Sequence, residues 1–235
     1  LYLLINGIAN RIIINDRDRS IFAFWHSILN HTDEFCQLIL NTPVTMETWH
    51  EQKQIQRNKI DADLLQLGFS TFFLNRSGII KGGVIGGLQQ TGNYLIDARY
   101  NCNKLKERIE TIARYSNQIE LYNLDAVELV NNLRNDLPHN CLFYFDPPYY
   151  ITSAAYNDGK RGMKGWGITE EIEMLTILKH IDKFGYKFML SNVLEHNGKR
   201  NELLEKWIRE NHYRVIKAGV SGYRYAKNEV LIVNY

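Results

Sequence analysis

The segment Cys141-Leu142-Phe143-Tyr144-Phe145 is apolar without a break and stops at Asp146-Pro147-Pro148-Tyr149. A short continuous apolar run of this kind reads as a buried strand. Proline has no N–H to give to a ladder and is kept out of central strands, so this strand ends at Phe145. The chain is thereby committed to a sheet, one strand of which delivers an acid, two prolines and an aromatic ring at its carboxyl end.

The remaining sequence supplies the other elements. Residues 11–16 predict a short buried strand ending in a polar turn. Apolar residues at Ile21, Trp25, Ile28, Leu29, Cys36, Ile39 and Leu40 predict one helix over 21–40, stopped by Pro43. Further helices are expected at 103–115, 126–133, 169–184 and 201–211, and strands at 118–124, 186–190, 213–217 and 230–233. Thr169 is the expected cap of its helix, with Glu170 and Glu171 in the first turn. Strands alternating with helices predict an α/β fold, a three-layer sandwich on a mostly parallel sheet. No helical pattern separates the last two strands, which predicts a hairpin and therefore an antiparallel strand at the sheet edge.

Residues 44–93 interrupt this rhythm. A polar stretch over 47–67 is compatible with a helix. Gly78, Gly82, Gly83, Gly86, Gly87 and Gly92 then crowd together with Gln89 and Gln90, which marks turns rather than a regular element. The segment reads as an insertion at 44–93 into a core made of 1–43 and 94–235.

Composition narrows the function classes. With 45% hydrophobic and 23% charged residues the chain can bury a sizeable core. No apolar run reaches the length of a membrane span, and the start lacks a signal-peptide pattern, so a cytoplasmic protein without a membrane partner is expected. Cys36, Cys102 and Cys141 are scattered, and the seven histidines have no ligand spacing, so neither structural zinc nor another metal is expected. A net charge of +2 does not by itself point to nucleic acid; any basic face must be local.

Ligands of open α/β sheets bind beyond the carboxyl ends of the strands, which is where Asp146-Pro147-Pro148-Tyr149 falls. The two prolines fix the local backbone and leave its carbonyls as rigid acceptors. Methylating an exocyclic amine asks for such acceptors. The amine lone pair is delocalised into the base and becomes nucleophilic only as nitrogen pyramidalises; acceptors on its hydrogens favour that geometry and strengthen as positive charge builds. A carboxylate and a proline carbonyl can fill this role, and the tyrosine offers a face for a base turned out of the stack.

The strand with Asp146-Pro147-Pro148-Tyr149 resembles motif IV of the amino-methyltransferases. In order along the chain stand Ile14-Asn15-Asp16 before the Trp25 helix, Phe72-Phe73-Leu74-Asn75-Arg76 with the glycine- and glutamine-rich stretch, Asp125 after a strand, motif IV, and Glu229-Val230-Leu231-Ile232 with Asn234-Tyr235. This ordered set is similar to the Dam-like, alpha-group N6-adenine DNA methyltransferases. The resemblance implies a Rossmann-like class I methyltransferase fold and S-adenosylmethionine as cofactor. It implies that Asp146, Pro147, Pro148 and Tyr149 are catalytic, that Asp16 binds the cofactor ribose and Asp125 its adenine, and that Asp146 also faces the cofactor. It makes 44–93 the target-recognition insertion, with Asn75 and Arg76 as contacts to double-stranded DNA. Lys160, Arg161 and Lys164, with Tyr156 and Trp166 nearby, form a basic loop for the phosphate backbone. A monomer or weak dimer in a bacterial or phage setting is expected, with a cognate restriction endonuclease as a further partner.

The residues themselves leave alternatives. Asp125 is as well suited to capping the helix at 126–133. Asn75 and Arg76 could tie the insertion to the core, and the basic loop could be solvated. The family's glycine loop, Phe-x-Gly-x-Gly, has no counterpart here, and Gly7 stands alone ahead of the second family strand. A unit of about fifty residues carrying that loop is expected upstream, a size typical of one strand–helix unit. The rival readings are a truncated DNA-binding remnant with weak activity and an amino-methyltransferase acting on RNA or on protein glutamine.

Overall fold

Three consecutive isoleucines begin the first sheet. After helix α1 (Tyr2–Ile5), strand β1 (Ile12–Asn15) is followed by α2 (Arg19–Asn30), α3 (Thr32–Asn41), α4 (Met46–Arg57), α5 (Leu64–Ser77), α6 (Cys102–Ala113) and β2 (Ile119–Tyr122). Strand β1 pairs with β2 in parallel, Ile12 opposite Ile119. The computed structural model describes residues 1–79, 83–133, 136–152, 165–221 and 227–235. They divide into two units, Leu1–Ala126 and Val127–Tyr235.

In the first unit the core is helical. Ile28, Phe35, Cys36, Ile39, Trp49, Phe69, Phe72 and Phe73 are buried together with Val84 and Ile96 of the glycine-rich stretch. Phe72 stacks on Phe24 at 6.2 Å and meets Phe35 edge-on at 5.5 Å. The helix predicted over 21–40 is two helices. His31 leaves the helical region at φ −133°, ψ 44°, and its N–H bonds back to Ser27. The apolar rhythm runs through this break because α2 and α3 turn their apolar sides into the same core. Helix α5 starts at Asp63, whose carboxylate accepts from the N–H groups of Leu65 and Gln66. It passes so close to α2 that a Cβ on Gly68 would lie 2.5 Å from the Ala23 carbonyl oxygen.

The glycine-rich stretch is a set of turns, as expected. Gly86 and Gly87 have φ of +83° and +77°, and Gln90 itself is left-handed at φ 53°. The Gln90 amide fastens the turn by donating to the Ile85 and Gly87 carbonyls and accepting from Ile96 N–H.

The second unit comprises α7 (Ala126–Leu133, which begins at the boundary), β3 (Leu142–Phe145), α8 (Ile168–Lys183), β4 (Lys187–His196), the two-residue β5 (Lys199–Arg200), α9 (Glu202–Asn211), β6 (Arg214–Ser221) and β7 (Lys227–Val233). The sheet order is β3-β4-β7-β6, with β5 on β4. Strands β3 and β4 are parallel, and β7 is antiparallel to both β4 and β6. Leu178, Phe188, Leu190, Leu204 and Ile232 form the fully buried centre.

Three expectations are corrected in this unit. The hairpin at the end exists, but its antiparallel strand is not at the edge: β7 lies between β4 and β6. Buried Val230, Ile232 and Val233 suit β7 to an interior position, while β6 carries Arg214 and Lys217 and takes the edge. The apolar strand before Asp146 is not enclosed. Among the described residues β3 is bonded on one side only, and Leu142 and Tyr144 are 43% and 58% exposed. The cap of α8 is Gly167, whose N–H donates to Glu170 Oε2 at 2.8 Å, and Thr169 lies inside the first turn. No helix among the described residues is long and apolar enough to cross a membrane.

Candidate active site

Strand β3 ends on Phe145, and the chain turns at Asp146-Pro147-Pro148-Tyr149. Pro147 is buried, Asp146 is exposed, and Tyr149 is half-buried. The turn closes on Thr152, whose N–H and hydroxyl both donate to the Tyr149 carbonyl, at 3.0 and 2.9 Å. The Tyr149 hydroxyl donates to Asp146 Oδ1 at 3.2 Å and shares a 2.9 Å hydrogen bond with Ser191 Oγ on β4. The acid and the ring of the motif are therefore joined to each other and pinned to the neighbouring strand. Burial raises the pKa of the Tyr149 phenol and the Asp146 charge adds to the rise, while the Ser191 hydrogen bond opposes it. Tyr149 thus stays protonated as a donor.

Ser191 escaped the sequence reading. Its neighbour Asn192 points to the other face of β4, into a buried polar knot. Glu171, fully buried on α8, accepts from Trp166 Nε1 at 2.9 Å, Asn192 Nδ2 at 3.1 Å and Asn201 Nδ2 at 3.4 Å. Burial raises the Glu171 pKa against the three hydrogen bonds.

In the first unit, Asp16 follows β1. Its Oδ1 accepts from Asp18 N–H at 2.8 Å, and its carbonyl accepts from Asn123 Nδ2 at 2.7 Å. Asn15 exchanges two hydrogen bonds with the backbone of Leu124, each 3.0 Å. The polar ends of β1 and β2 are thus laced together. Asp18, not Asp16, caps α2 by accepting from Ser20 N–H. Burial raises the Asp16 pKa; the Asp18 N–H opposes the rise and the Asp18 charge reinforces it. Asp125 lies beside this turn, its Oδ2 3.0 Å from Arg17 Nη1.

Asn75 and Arg76 occupy the last turn of α5. Arg76 donates to Asn75 Oδ1 at 3.2 Å, and Arg99 donates to the carbonyls of Asn75 and Gly78. Burial lowers the Arg76 pKa, as do the nearby Arg99 and Arg108 charges. Three guanidinium groups thus gather where the sequence pointed to one. The predicted basic residues Lys160, Arg161 and Lys164, and Tyr156, lie outside the described residues. Among the described residues no group of three or more His, Cys, Asp or Glu is placed to hold a metal ion.

Residues 5–221 match the family model of the D12 class N6 adenine-specific DNA methyltransferases. The chain belongs to this family. Relatives of this D12-class chain include Modification methylase LlaI of Lactococcus lactis subsp. lactis, 42% identical over 130 residues, which are 55% of this chain and 20% of that protein. Type II methyltransferase M.FokI of Planomicrobium okeanokoites is 43% identical over 106 residues, and Modification methylase StsI of Streptococcus sanguinis is 38% identical over 111. Each of these last two matches covers 43% of the D12-class chain and 16% of the relative. The matched stretch thus spans a fifth or less of each relative's length.

Proposed function

We propose that this chain carries the catalytic centre of an S-adenosylmethionine-dependent enzyme that methylates N6 of an adenine turned out of double-stranded DNA. The observation that carries the reading is the Asp146, Tyr149 and Ser191 hydrogen-bond set at the end of β3, in a chain of the D12 class. The Asp146 carboxylate and the Pro147 carbonyl accept the hydrogens of the adenine amino group and favour its pyramidal form. The Tyr149 ring stacks on the base, a contact worth roughly 1–3 kcal/mol. Its hydroxyl, held by Ser191, keeps the Asp146 carboxylate oriented. No proton need leave before attack, because the acceptors strengthen as charge develops on nitrogen.

The residues present fit the cofactor's polar groups. Asp16 uses Oδ1 to brace its own turn, and a carboxylate there suits the paired hydroxyls of a ribose. Asp125, beside the same turn, is the proposed partner of the cofactor adenine, and Asp146 also faces the cofactor. The cofactor supplies the electrophilic methyl group; its methionine end would rest on a glycine loop of the Phe-x-Gly-x-Gly kind, for which these 235 residues offer no match.

We read 44–93 as the target-recognition insertion and the Asn75, Arg76, Arg99 and Arg108 cluster as a phosphate- and base-facing surface, with Lys160, Arg161 and Lys164 assisting. The Rossmann-like class I arrangement is supported by parallel pairing in each unit and by the reversed β7. The modification methylases among the relatives support a restriction-modification setting; a cytoplasmic, bacterial or phage-encoded monomer or weak dimer with a cognate endonuclease completes the proposal.

The test is a methyl-transfer assay on the full-length protein with labelled cofactor and unmethylated DNA. Label should appear on adenine N6. Asp146→Ala should abolish it while leaving the circular dichroism spectrum unchanged. Retained transfer by Asp146→Ala, or label on RNA or protein instead, would overturn the reading.

A further inference from the structure

The turn that carries Asp16 is held by residues of the segment read as the recognition insertion. Lys59, in the loop between α4 and α5, places Nζ 3.0 Å from Asp18 Oδ1, with the two side chains only 15% and 21% exposed. Arg19, the first residue of α2, reaches into the same loop and donates Nε to the Lys59 carbonyl and Nη2 to the Ala62 carbonyl, each at 2.9 Å. Ser20 donates to Gln56 Oε1 at 3.0 Å, and its carbonyl accepts from Thr71 at 3.1 Å. Asp18 in turn gives its N–H to Asp16 Oδ1. A chain of contacts thus runs from the insertion through Lys59 and Asp18 to the acid at the end of β1.

Two carboxylates separated by one residue repel and would splay a surface turn. The Lys59 ammonium neutralises Asp18 in a poorly hydrated position, where the interaction is screened less than at the surface. That leaves Asp18 free to cap α2 while its N–H braces Asp16. The Arg19 fork fixes the loop that presents Lys59, so the ammonium is held in place. Both part-buried carbonyls of that loop, at 59 and 62, are thus bound by a residue adjoining the Asp16 turn.

We propose that Lys59 and Arg19 are positioning residues for Asp16, so that the recognition insertion also sets the protein's affinity for its cofactor. This rests on the reading of Asp16 as the ribose ligand. The experiment compares wild type, Lys59→Met, Lys59→Arg and Asp16→Asn in the full-length protein. S-adenosylmethionine binding is measured by calorimetry, KM and kcat at saturating DNA, and the unfolding midpoint in parallel. Lys59→Met should raise the cofactor Kd and KM about tenfold, within the range of typical coupling between sites, and leave kcat at saturating cofactor close to wild type. Lys59→Arg should restore binding. If Asp16→Asn loses cofactor but Lys59→Met binds as wild type does, the positioning role fails and the Asp16 reading stands. If Asp16→Asn binds normally, or wild type binds no cofactor, that reading falls and takes the proposal with it. If Lys59→Met lowers kcat, affinity and the unfolding midpoint together and Lys59→Arg restores none of them, Lys59 is structural only and the proposal is overturned.

Discussion

The Tyr149 hydroxyl lies 2.9 Å from the Ser191 Oγ, so the ring of the proposed catalytic motif takes its orientation from the strand beside it. Removing that partner should loosen the ring and the Asp146 carboxylate it contacts. A hydrogen bond of this type is worth about 1 kcal/mol net, so Ser191→Ala should lower kcat about fivefold and leave cofactor KM unchanged. Steady-state kinetics on adenine-containing DNA checks this; an unchanged kcat would show that Asp146 is oriented without the tyrosine.

Asp16 should impose a pH limit on cofactor binding. Its carboxylate must be ionised to accept two hydroxyls, and burial raises its pKa above the ordinary 3.8. Cofactor affinity should therefore fall as pH drops, beginning at higher pH than an exposed aspartate would give. Asp16→Asn should bind weakly at all pH values, with that acid limb gone. Cofactor affinity measured across an acid pH series distinguishes the two profiles.

The guanidinium cluster should be visible in salt dependence. Arg108 is exposed on α6, and its charge helps to lower the Arg76 pKa. If it contacts a phosphate, Arg108→Gln should weaken binding to every DNA sequence alike and reduce the slope of log affinity against log salt by about 1. Fluorescence anisotropy with short duplexes measures that slope. A change confined to one sequence would assign Arg108 to base recognition instead.

Glu171 should govern the stability of the second unit. Glu171→Ala leaves the N–H groups of Trp166, Asn192 and Asn201 facing a void. A cost of about 3 kcal/mol in chemical denaturation is expected from orphaned buried donors. The sign of the pH effect follows from the raised pKa. The folded state favours the protonated acid, so its contribution is complete below the unfolded value near 4.5 and is lost as pH rises through the folded value. Glu171→Gln should remove that pH dependence while keeping an acceptor oxygen.

The parts of the candidate site that the sequence singles out are local ones. Asp146-Pro147-Pro148-Tyr149 and Asp16 each adjoin a strand end, and a run of apolar residues meeting a breaker marks such an end unaided. Ser191 and Glu171 carry no such mark. They matter because β4 and α8 bring them to Tyr149 and Asn192 from 42 and 21 residues away. The break at His31 was hidden because apolar spacing registers burial, and both helices bury into one core. The place of β7 inside the sheet was hidden for a related reason: a hairpin fixes which strands are neighbours, but not which of the two joins the rest. The gathering of Arg99 and Arg108 toward Arg76 likewise depends on the chain returning to the helical core after a long run of turns.

The contact at Gly68 bears on how specificity could be exchanged between relatives. Helix α5, inside the segment 44–93, presses its backbone onto Ala23 of α2, and Ser27 of α2 gives its hydroxyl to the Leu64 carbonyl. A cassette cut at the ends of that segment would sever a glycine from the one helix surface moulded to receive it. If 44–93 is the recognition segment, as proposed, a chimaera that imports a new one has to import α2 as well, and with it the turn that presents Asp16. The smallest transferable module is then larger than the segment 44–93 itself.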